Sequence, residues 1–329
     1  MPIAPGFDPR WQDVPDYVLG ITREIWEDRG IHRLTAYYAP DLVVRSPASV
    51  VVGNDGIVAA TQATLAEFPD RELPGEDVIW CWADSARSAF LSSHRLLCRA
   101  THRGDGMYGP ASGRRLTYRI LADCYCAENQ VRDEWLVRDQ AAIVRQMGAD
   151  PIDWTRDLIR REGGPEACIR PFTPAIDRAG PYRGAGDPGR WGAALVSLLE
   201  AVMAGRAGAT AATYDRAAEL HQPGHVTAHG PDAADRFWMA LRAAFPSAAF
   251  SIHHAIGRQD TQMPPRAAVR WSLTGRHDGP GAFGPATGAA VHVMGITHAE
   301  FGPRGLRREW TLIDETAIWK QILLATGAV

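Results

Sequence analysis

The 329-residue chain has no run of about 18 apolar residues, so the sequence predicts no membrane-spanning helix. Residues 1–15 lack the continuous apolar segment of a secretory signal. Acidic and basic side chains nearly balance at a formal net charge of −3, which gives no reason to expect nucleic acid or an anionic membrane as a partner. We therefore expect a cytoplasmic protein with neither kind of partner.

Cysteine is scarce, and its five copies are irregularly spaced. An odd number of cysteines without paired spacing favours reduced thiols. Cys124 and Cys126 lie on one face of a predicted strand, but the tight pairing of structural zinc ligands is missing, so we expect them to fill a sheet face. A nucleophile elbow, a dinucleotide fingerprint and a P-loop are also absent. The sequence therefore predicts neither a metal nor a cofactor.

An internal repeat is the main feature that the sequence does contain. Residues 95–146 align with residues 270–321 at a constant offset of 175, and 15 of the 52 aligned positions are identical. Farther upstream, Tyr38 matches Tyr214 at an offset of 176. Ordered matches at a nearly constant period indicate duplication, and loops of different length account for the small change in offset.

A segment rich in glycine and proline separates the two copies. Eleven of the 28 residues in 163–190 are Gly or Pro, which interrupts regular helices and strands. The apolar residues of 151–162 have helical spacing and predict an extra helix before this linker. We predict a first domain at residues 1–150, the extra helix and linker at residues 151–190, and a second domain at residues 191–329.

Each copy begins with helical patterning and ends with strands. The second copy, for example, predicts a helix near 207–217, a strand near 218–222 and four further strands within residues 248–313. Helices followed by antiparallel strands are typical of an α+β fold. We therefore expect two tandem cone-shaped α+β barrels, in which helices pack on a curved, mostly antiparallel sheet and leave a conical space suited to a small apolar ligand.

The glycine-rich segment Gly109–Gly113, matched by Gly284–Gly288, joins two predicted strands. Its glycines permit positive φ and its proline stiffens the turn. A phosphate-binding loop would open a helix, whereas a strand follows here. We interpret both segments as hairpin loops.

The second copy resembles the SnoaL-like polyketide cyclases of the nuclear transport factor 2-like superfamily. The resemblance is carried by residues 270–277, the hairpin at 284–288, Glu309-Trp310, Asp314 and Gln321. The first copy keeps the equivalent hairpin, Glu134-Trp135, Asp139 and Gln146. The resemblance implies cystatin-like cones, cofactor-free acid–base chemistry and a small apolar carbonyl substrate. Single-domain relatives dimerise through their sheets, which implies an intrachain pseudo-dimer here and leaves a further homodimer open.

The resemblance also implies which positions line each cone. Relatives place catalytic carboxyl groups at three positions that hold other residues in both copies. These positions are occupied by Leu136 and Thr311, by Ser46 and Gln222, and by Ala122 and Thr297. The remaining predicted lining residues are Tyr38, Cys124, Arg138, Tyr214, Ala299 and Ile313.

Glu134 and Glu309 are the acids that we predict to act in catalysis. Strand alternation directs them inward if Leu136 and Thr311 face the cone. An apolar environment disfavours an ionised carboxylate and raises its pKa toward values useful for acid–base chemistry. The alternative is that each glutamate pairs with a nearby arginine and supports the sheet. The candidate partners are Arg132, Arg138, Arg307 and Arg308.

Three functions remain open at this point. The leading one is a cyclase- or isomerase-type enzyme that acts on a small apolar carbonyl compound. The first alternative is a binding protein that holds an apolar ligand without chemistry. The second is an assembly module with vestigial cavities, which cones filled by Trp and Leu side chains would favour.

Overall fold

The computed structural model describes residues 3–329, which form two six-stranded sheets with their own helices. Helix α1 (Val14–Thr22) begins at Asp13, whose carboxylate accepts a hydrogen bond from the backbone N–H of Asp16, and Pro15 occupies the first turn, where no donor is needed. A π-helical turn (Arg23–Glu27), a 3₁₀ turn (Ile31–Arg33) and α2 (Leu34–Tyr37) follow. No helix within the described range is long and apolar enough to cross a membrane.

The first sheet and its later helices occupy residues 38–161. The strands are β1 (Tyr38–Ser46), β2 (Ser49–Val52), β3 (Gly75–Trp82), β4 (Ala89–Thr101), β5 (Arg115–Ala127) and β6 (Gln130–Arg138). The helices are α3 (Asn54–Glu67), between β2 and β3, then α4 (Gln140–Gln146) and α5 (Pro151–Arg161).

The second half repeats this arrangement from residue 189. Its first helices are α6 (Gly189–Met203) and α7 (Ala209–Thr213). Its strands are β7 (Tyr214–Gln222), β8 (Val226–His229), β9 (Ala249–Arg258), β10 (Arg266–Arg276), β11 (Ala290–Gly302) and β12 (Gly305–Ile313). Helix α8 (Pro231–Ala244) separates β8 from β9, and α9 (Glu315–Thr326) follows β12.

The two sheets have the same topology. Their strand orders are β2-β1-β6-β5-β4-β3 and β8-β7-β12-β11-β10-β9. In each sheet one neighbouring pair is parallel, β1 with β6 and β7 with β12, and the other pairs are antiparallel. The predicted α+β class, the tandem repeat and the mostly antiparallel sheets are confirmed. Each sheet is open, however, because its first and last strands in this order form edges instead of closing a barrel.

Two local predictions differ from the structure. The short edge strands β2 and β8 are not predicted from the sequence. The predicted helix at 207–217 is wrong in its second half, since α7 ends at Thr213 and β7 begins at Tyr214, which pairs with Leu306. The alanine-rich sequence favours a helix there, but pairing with β12 overrides this local preference.

The outer faces of the two sheets pack against each other. Arg270 of β10 donates to the buried carboxylate of Asp123 on β5 at 3.0 Å, and its guanidinium lies 3.8 Å from the ring centroid of Trp135. Ser93 and His298 contact each other at 2.8 Å across the same interface. Apolar side chains surround these polar contacts, among them Leu121, Val137, Met294, Ile296 and Leu312. The two halves therefore fit together as an intrachain pseudo-dimer.

The linker between Arg161 and Gly189 contributes to this interface. The described residues there form neither helix nor strand, yet Tyr182 is buried and its hydroxyl contacts Nε2 of His254 at 2.8 Å. The carbonyl oxygens of Ala185 and Asp187 accept backbone hydrogen bonds from β9, each at 3.0 Å. The domain limits at residues 150 and 190 stay a prediction.

In each half, an aspartate caps the helix that directly follows the last strand of the sheet. Asp139 accepts a hydrogen bond from the N–H of Ala142, as expected for a helix cap, and Asp314 caps α9 in the same way. The buried carboxylate of Asp139 also accepts bonds from the N–H groups of Gly224 and His225, both at 2.9 Å. The first half thereby holds the β7–β8 turn of the second half.

Replacing Arg270 tests the interface. We predict that Arg270→Ala lowers the free energy of unfolding by about 3–5 kcal/mol, because it leaves the carboxylate of Asp123 buried without a counter-charge. Urea denaturation measures the change. Arg304 pairs with Asp215 but is 81% exposed, so Arg304→Ala should cost less than about 1 kcal/mol. Equal losses from both variants would contradict a buried ionic contact.

Candidate functional site

Glu134 lies on the inner face of the first sheet. It pairs with Cys124 of β5 on one side and with Val44 of β1 on the other. Its side chain is buried, and no arginine or lysine nitrogen of the described residues lies within 4 Å of its carboxylate. Glu134 therefore does not form the ion pair with a nearby arginine that was the alternative prediction.

The electrostatic environment of Glu134 suits proton transfer near neutral pH. Burial raises the pKa of its carboxyl group to about 7, and the neighbouring Asp133 adds to the rise. The nearby hydroxyl of Tyr38 opposes the shift, while burial next to Glu134 raises the pKa of Tyr38 itself well above its ordinary value. The Tyr38–Glu134 pair is thus a protonatable group enclosed by apolar residues.

Glu309 occupies the equivalent place in the second sheet but has more partners. Its carboxylate accepts hydrogen bonds from the hydroxyl of Tyr214 and, at 2.9 Å, from that of Thr311. The hydroxyls of Thr311 and Thr297 contact each other at 3.0 Å. Burial raises the pKa of Glu309 to about 7, and the hydrogen bonds oppose the rise. Both oxygens of this acid are already engaged within the protein.

Two tryptophans fill the second cone around the hydrogen-bonded side chains of Glu309, Thr311 and Thr297. Trp238 and Trp271 are fully buried, with ring centroids 5.8 Å apart, and Nε1 of Trp271 donates to Thr297 at 3.0 Å. A side chain at Gly295 would meet the Trp271 ring, since a Cβ there would lie 2.2 Å from it. The second cone is therefore packed tightly at the depth of its glutamate.

The first cone has smaller side chains at the matching positions and more polar ones elsewhere. Thr61 and Leu96 stand where the second half has its two tryptophans. Ser92 and His94 lie on the same inner face as Glu134, and the ring of His94 is kept neutral because burial lowers its pKa to about 4. Arg138 also faces inward, and its Nε has no hydrogen-bond partner.

The other predicted lining residues are buried or half-buried on the same inner faces. Ala122, Cys124 and Leu136 surround Glu134 on paired strands. Ala299 pairs with Glu309, and Ile313 lies opposite Gly295. Ser46 and Gln222 sit at the ends of β1 and β7, and the Ser46 hydroxyl accepts a bond from the N–H of Ser49 at 3.2 Å. Ser46 is thus engaged in the β1–β2 turn.

Bulges explain why the nearby arginines avoid the two glutamates. Asp133 pairs with Tyr125 while Val131 pairs with Cys126, so Arg132 is skipped and turns to Glu128. In β12 the register skips Arg307 in the same way, and both Arg307 and Arg308 contact Glu300. A bulged residue leaves the alternation of its strand.

The histidines beside the hairpin loops are not exposed. The sequence places His102 and His277 near exposed loops, yet both rings are fully buried. Nδ1 of His102 contacts the Ser112 hydroxyl at 3.0 Å, and its Nε2 contacts Glu67 of α3 at 3.0 Å. The ring of His102 thus ties its hairpin loop to α3, and sequence alone gives no sign of that long-range contact. In the second half, Nδ1 of His277 contacts the Thr287 hydroxyl of its own loop at 3.0 Å, and its Nε2 has no partner.

Open clefts lie away from both glutamates. One of about 500 Å³ includes Glu27, Arg71 and Arg99, and another of about 370 Å³ includes Val50 and Arg170. None of the predicted lining residues borders either cleft. Within residues 3–329 no three His, Cys, Asp or Glu side chains are grouped so as to hold a metal ion.

Two related sequence profiles match the two halves of the chain. Residues 17–147 match the sequence profile of the SnoaL-like polyketide cyclases, and residues 195–309 match that of the SnoaL-like domain. No functionally curated protein matches the chain.

Several solved structures resemble one half of the chain at low identity. IdmH from Streptomyces antibioticus, provisionally assigned as a polyketide cyclase, is 21% identical over 41% of this chain and 98% of its own, with a TM-score of 0.36. A SnoaL-like polyketide cyclase from Agrobacterium tumefaciens is 20% identical over 42% and 99%, with a TM-score of 0.32. TsrD from Streptomyces laurentii is 19% identical over 41% and 96%, with a TM-score of 0.34.

Because Glu309 is buried with a raised pKa, we predict that the free energy of unfolding depends on pH. Between pH 4.5 and about 7 the folded protein keeps a proton on Glu309 that the unfolded chain releases, so stability falls as pH rises through this window. We expect Glu309→Gln to gain about 2–3 kcal/mol relative to the parent protein between pH 5 and pH 8. Urea denaturation at several pH values measures this gain. Glu200 is exposed, so the difference between Glu200→Gln and the parent protein should not change with pH. A difference between Glu309→Gln and the parent protein that stays constant from pH 5 to pH 8 would refute an ionisable buried acid.

Proposed function

Because the chain belongs to the SnoaL-like family, with two such domains in tandem, we propose that its first domain is a cofactor-free acid–base enzyme of the polyketide cyclase or isomerase type. Its substrate is a small apolar carbonyl compound, and Glu134 is the base. The observation that carries the proposal is the state of this carboxyl group, which is buried, free of arginine partners and close to half-ionised at neutral pH.

The contrast between the two glutamates favours the first domain. Glu309 is held by Tyr214 and Thr311 inside a cone that Trp238 and Trp271 fill. Glu134 has the hydroxyl of Tyr38 nearby but no comparable pair of hydrogen bonds to its oxygens. A base must reach the proton that it removes, so the less engaged carboxylate is the better candidate. We assign the second domain a supporting role.

The reaction step follows from the chemistry of a carboxylate in an apolar space. Ionised Glu134 removes a proton from the carbon next to the carbonyl, and the electron pair of that C–H bond moves into an enolate. His94, which is neutral, lies two strands away on the same face, roughly 10 Å across by strand spacing. We assign the imidazole N–H to the enolate oxygen, which lies on the carbon next to the deprotonated one, so the Glu134 and His94 side chains must extend toward each other over the intervening strand to reach one substrate. In a β,γ-unsaturated substrate the enolate extends over the C=C bond, and neutral Glu134 then returns the proton to the γ-carbon, which brings the double bond into conjugation with the carbonyl.

A binding protein without catalysis is the second candidate. The observation that favours it is the absence of a carboxyl group at Ser46, Ala122 and Leu136, the three positions where catalytic relatives carry one. Such a protein would hold an apolar ligand in the first cone and leave its protons in place.

Replacing each glutamate distinguishes these candidates. The probe is 1-tetralone in D₂O, whose α-protons exchange when a base removes them, and ¹H NMR follows the exchange. We predict that Glu134→Gln lowers the enzymatic exchange rate about 100-fold or more, because an amide cannot accept the proton. The rate of the parent protein should rise with pH through about 7, as Glu134 ionises.

The matched control is Glu309→Gln, which changes the same residue type on the equivalent strand. We expect it to keep the exchange rate within about threefold of the parent protein. Equal losses in both variants would contradict the assignment to the first domain. Binding of 1-tetralone without any exchange above the buffer rate would replace the enzyme proposal by the binding protein.

A further inference from the structure

Arg71 is a buried cation without a counter-charge. Its side chain is 4% exposed, and within residues 3–329 no carboxylate lies within 4 Å of its guanidinium. Its Nε has no hydrogen-bond partner. The ionisable groups that act most strongly on it are Tyr118, Cys98 and Tyr108, which are all neutral at physiological pH. An uncompensated buried charge is costly, so an arginine in this state indicates an anion that completes it.

The backbone holds this arginine in place before any ligand arrives. Arg71 follows α3 in a turn closed by its own N–H on the carbonyl of Phe68 at 3.2 Å. The next residue, Glu72, forms a two-way backbone bridge with Arg99 of β4, at 2.9 and 3.0 Å. The backbone that carries Arg71 is therefore fixed between the sheet and the turn, and burial restricts its side chain, which lowers the entropy cost of binding.

A cleft of about 500 Å³ opens beside Arg71. Arg29 and Arg99 also border it, together with the acidic residues Glu27, Asp70 and Glu72. Two of these acids are already engaged, since Glu27 accepts a bond from the N–H of Leu73 at 2.6 Å and Asp70 one from that of Thr101 at 2.8 Å. The cationic head of Arg71 remains the unsatisfied group at this cleft.

The second half of the chain lacks this feature. The turn after α8 has Ala248 at the place of Arg71, and the alanine is buried. There the carbonyls of Phe245, Pro246 and Ala248 accept hydrogen bonds from Arg242 at 2.7 to 3.1 Å. In the second half, Arg242 thus donates hydrogen bonds to the carbonyls of this turn. In the first half, the turn instead carries Arg71, whose Nε has no hydrogen-bond partner.

We propose that Arg71 forms a binding site for a small monocarboxylate in this cleft, separate from Glu134. A planar guanidinium binds a carboxylate through two parallel hydrogen bonds. The acidic residues at the rim disfavour a doubly charged phosphate and favour an anion of one charge. Pro74 borders the same cleft and offers an apolar surface to the body of the ligand.

The test compares charged and neutral ligands of the same shape on the full-length protein. Acetate, benzoate and octanoate are titrated by isothermal calorimetry, with benzamide as the neutral match for benzoate. We expect benzoate to bind at least about tenfold more tightly than benzamide, and Arg71→Met to abolish this difference. Arg206 is exposed and distant, so Arg206→Met should bind like the parent protein.

A second measurement does not depend on the folding of a variant. In protein labelled with ¹⁵N-arginine, the Nε–H resonance of Arg71 should shift on addition of benzoate and stay unchanged with benzamide. The proposal is overturned if none of the three carboxylates binds below about 20 mM. It is equally overturned if Arg71→Met folds and binds benzoate normally, or if inorganic phosphate binds at Arg71 more tightly than any carboxylate.

Discussion

The two sheets bury charged side chains where their outer faces meet, and charges in such a place are tolerated only when each one is paired. Arg270 neutralises Asp123 across the contact, and Arg45 pairs with Asp133 within the first sheet. The linker completes this second pair through Asp177, and it can approach because residue 180 is a glycine, whose Cβ would otherwise lie 2.0 Å from the carboxylate of Asp133. The path of the linker and the contact between the sheets thus both serve to pair charges that are buried where the sheets meet.

Duplication gave the chain two cones, and their interiors now differ. In the second, two buried tryptophans and a chain of hydroxyls surround the acid, and both oxygens of Glu309 accept hydrogen bonds. In the first, smaller side chains stand at the tryptophan positions, and Arg71 and Arg138 each keep an unpaired Nε. Unsatisfied buried groups weaken a fold, and proteins retain them mainly where a site needs them. The two unpaired guanidinium nitrogens are consistent with the proposal that ligands bind in the first half.

The sequence was sufficient to predict the fold class, because the repeat and the alternating strands are local patterns that tertiary packing reinforces. Alternation also predicted buried positions for Glu134 and Glu309. Their freedom from arginine was not predictable, since it depends on bulges that turn Arg132 and Arg307 away. The buried state of His102 depends on Glu67, 35 residues earlier in the chain. Contacts of that range leave no periodic signal in the sequence.

The sheet contact also bears on the candidate base, because one strand carries both. Along β6, Trp135 faces the interface and Glu134 faces the cone. The guanidinium of Arg270 stacks on Trp135 from the second half, and Asp123 lies directly opposite Trp135 on β5. Packing on the outer face therefore restricts the strand segment that positions the carboxylate on the inner face. The second domain can therefore affect the candidate base of the first domain even though its own cone is filled, because it packs on the outer face of β6, the strand that carries Glu134.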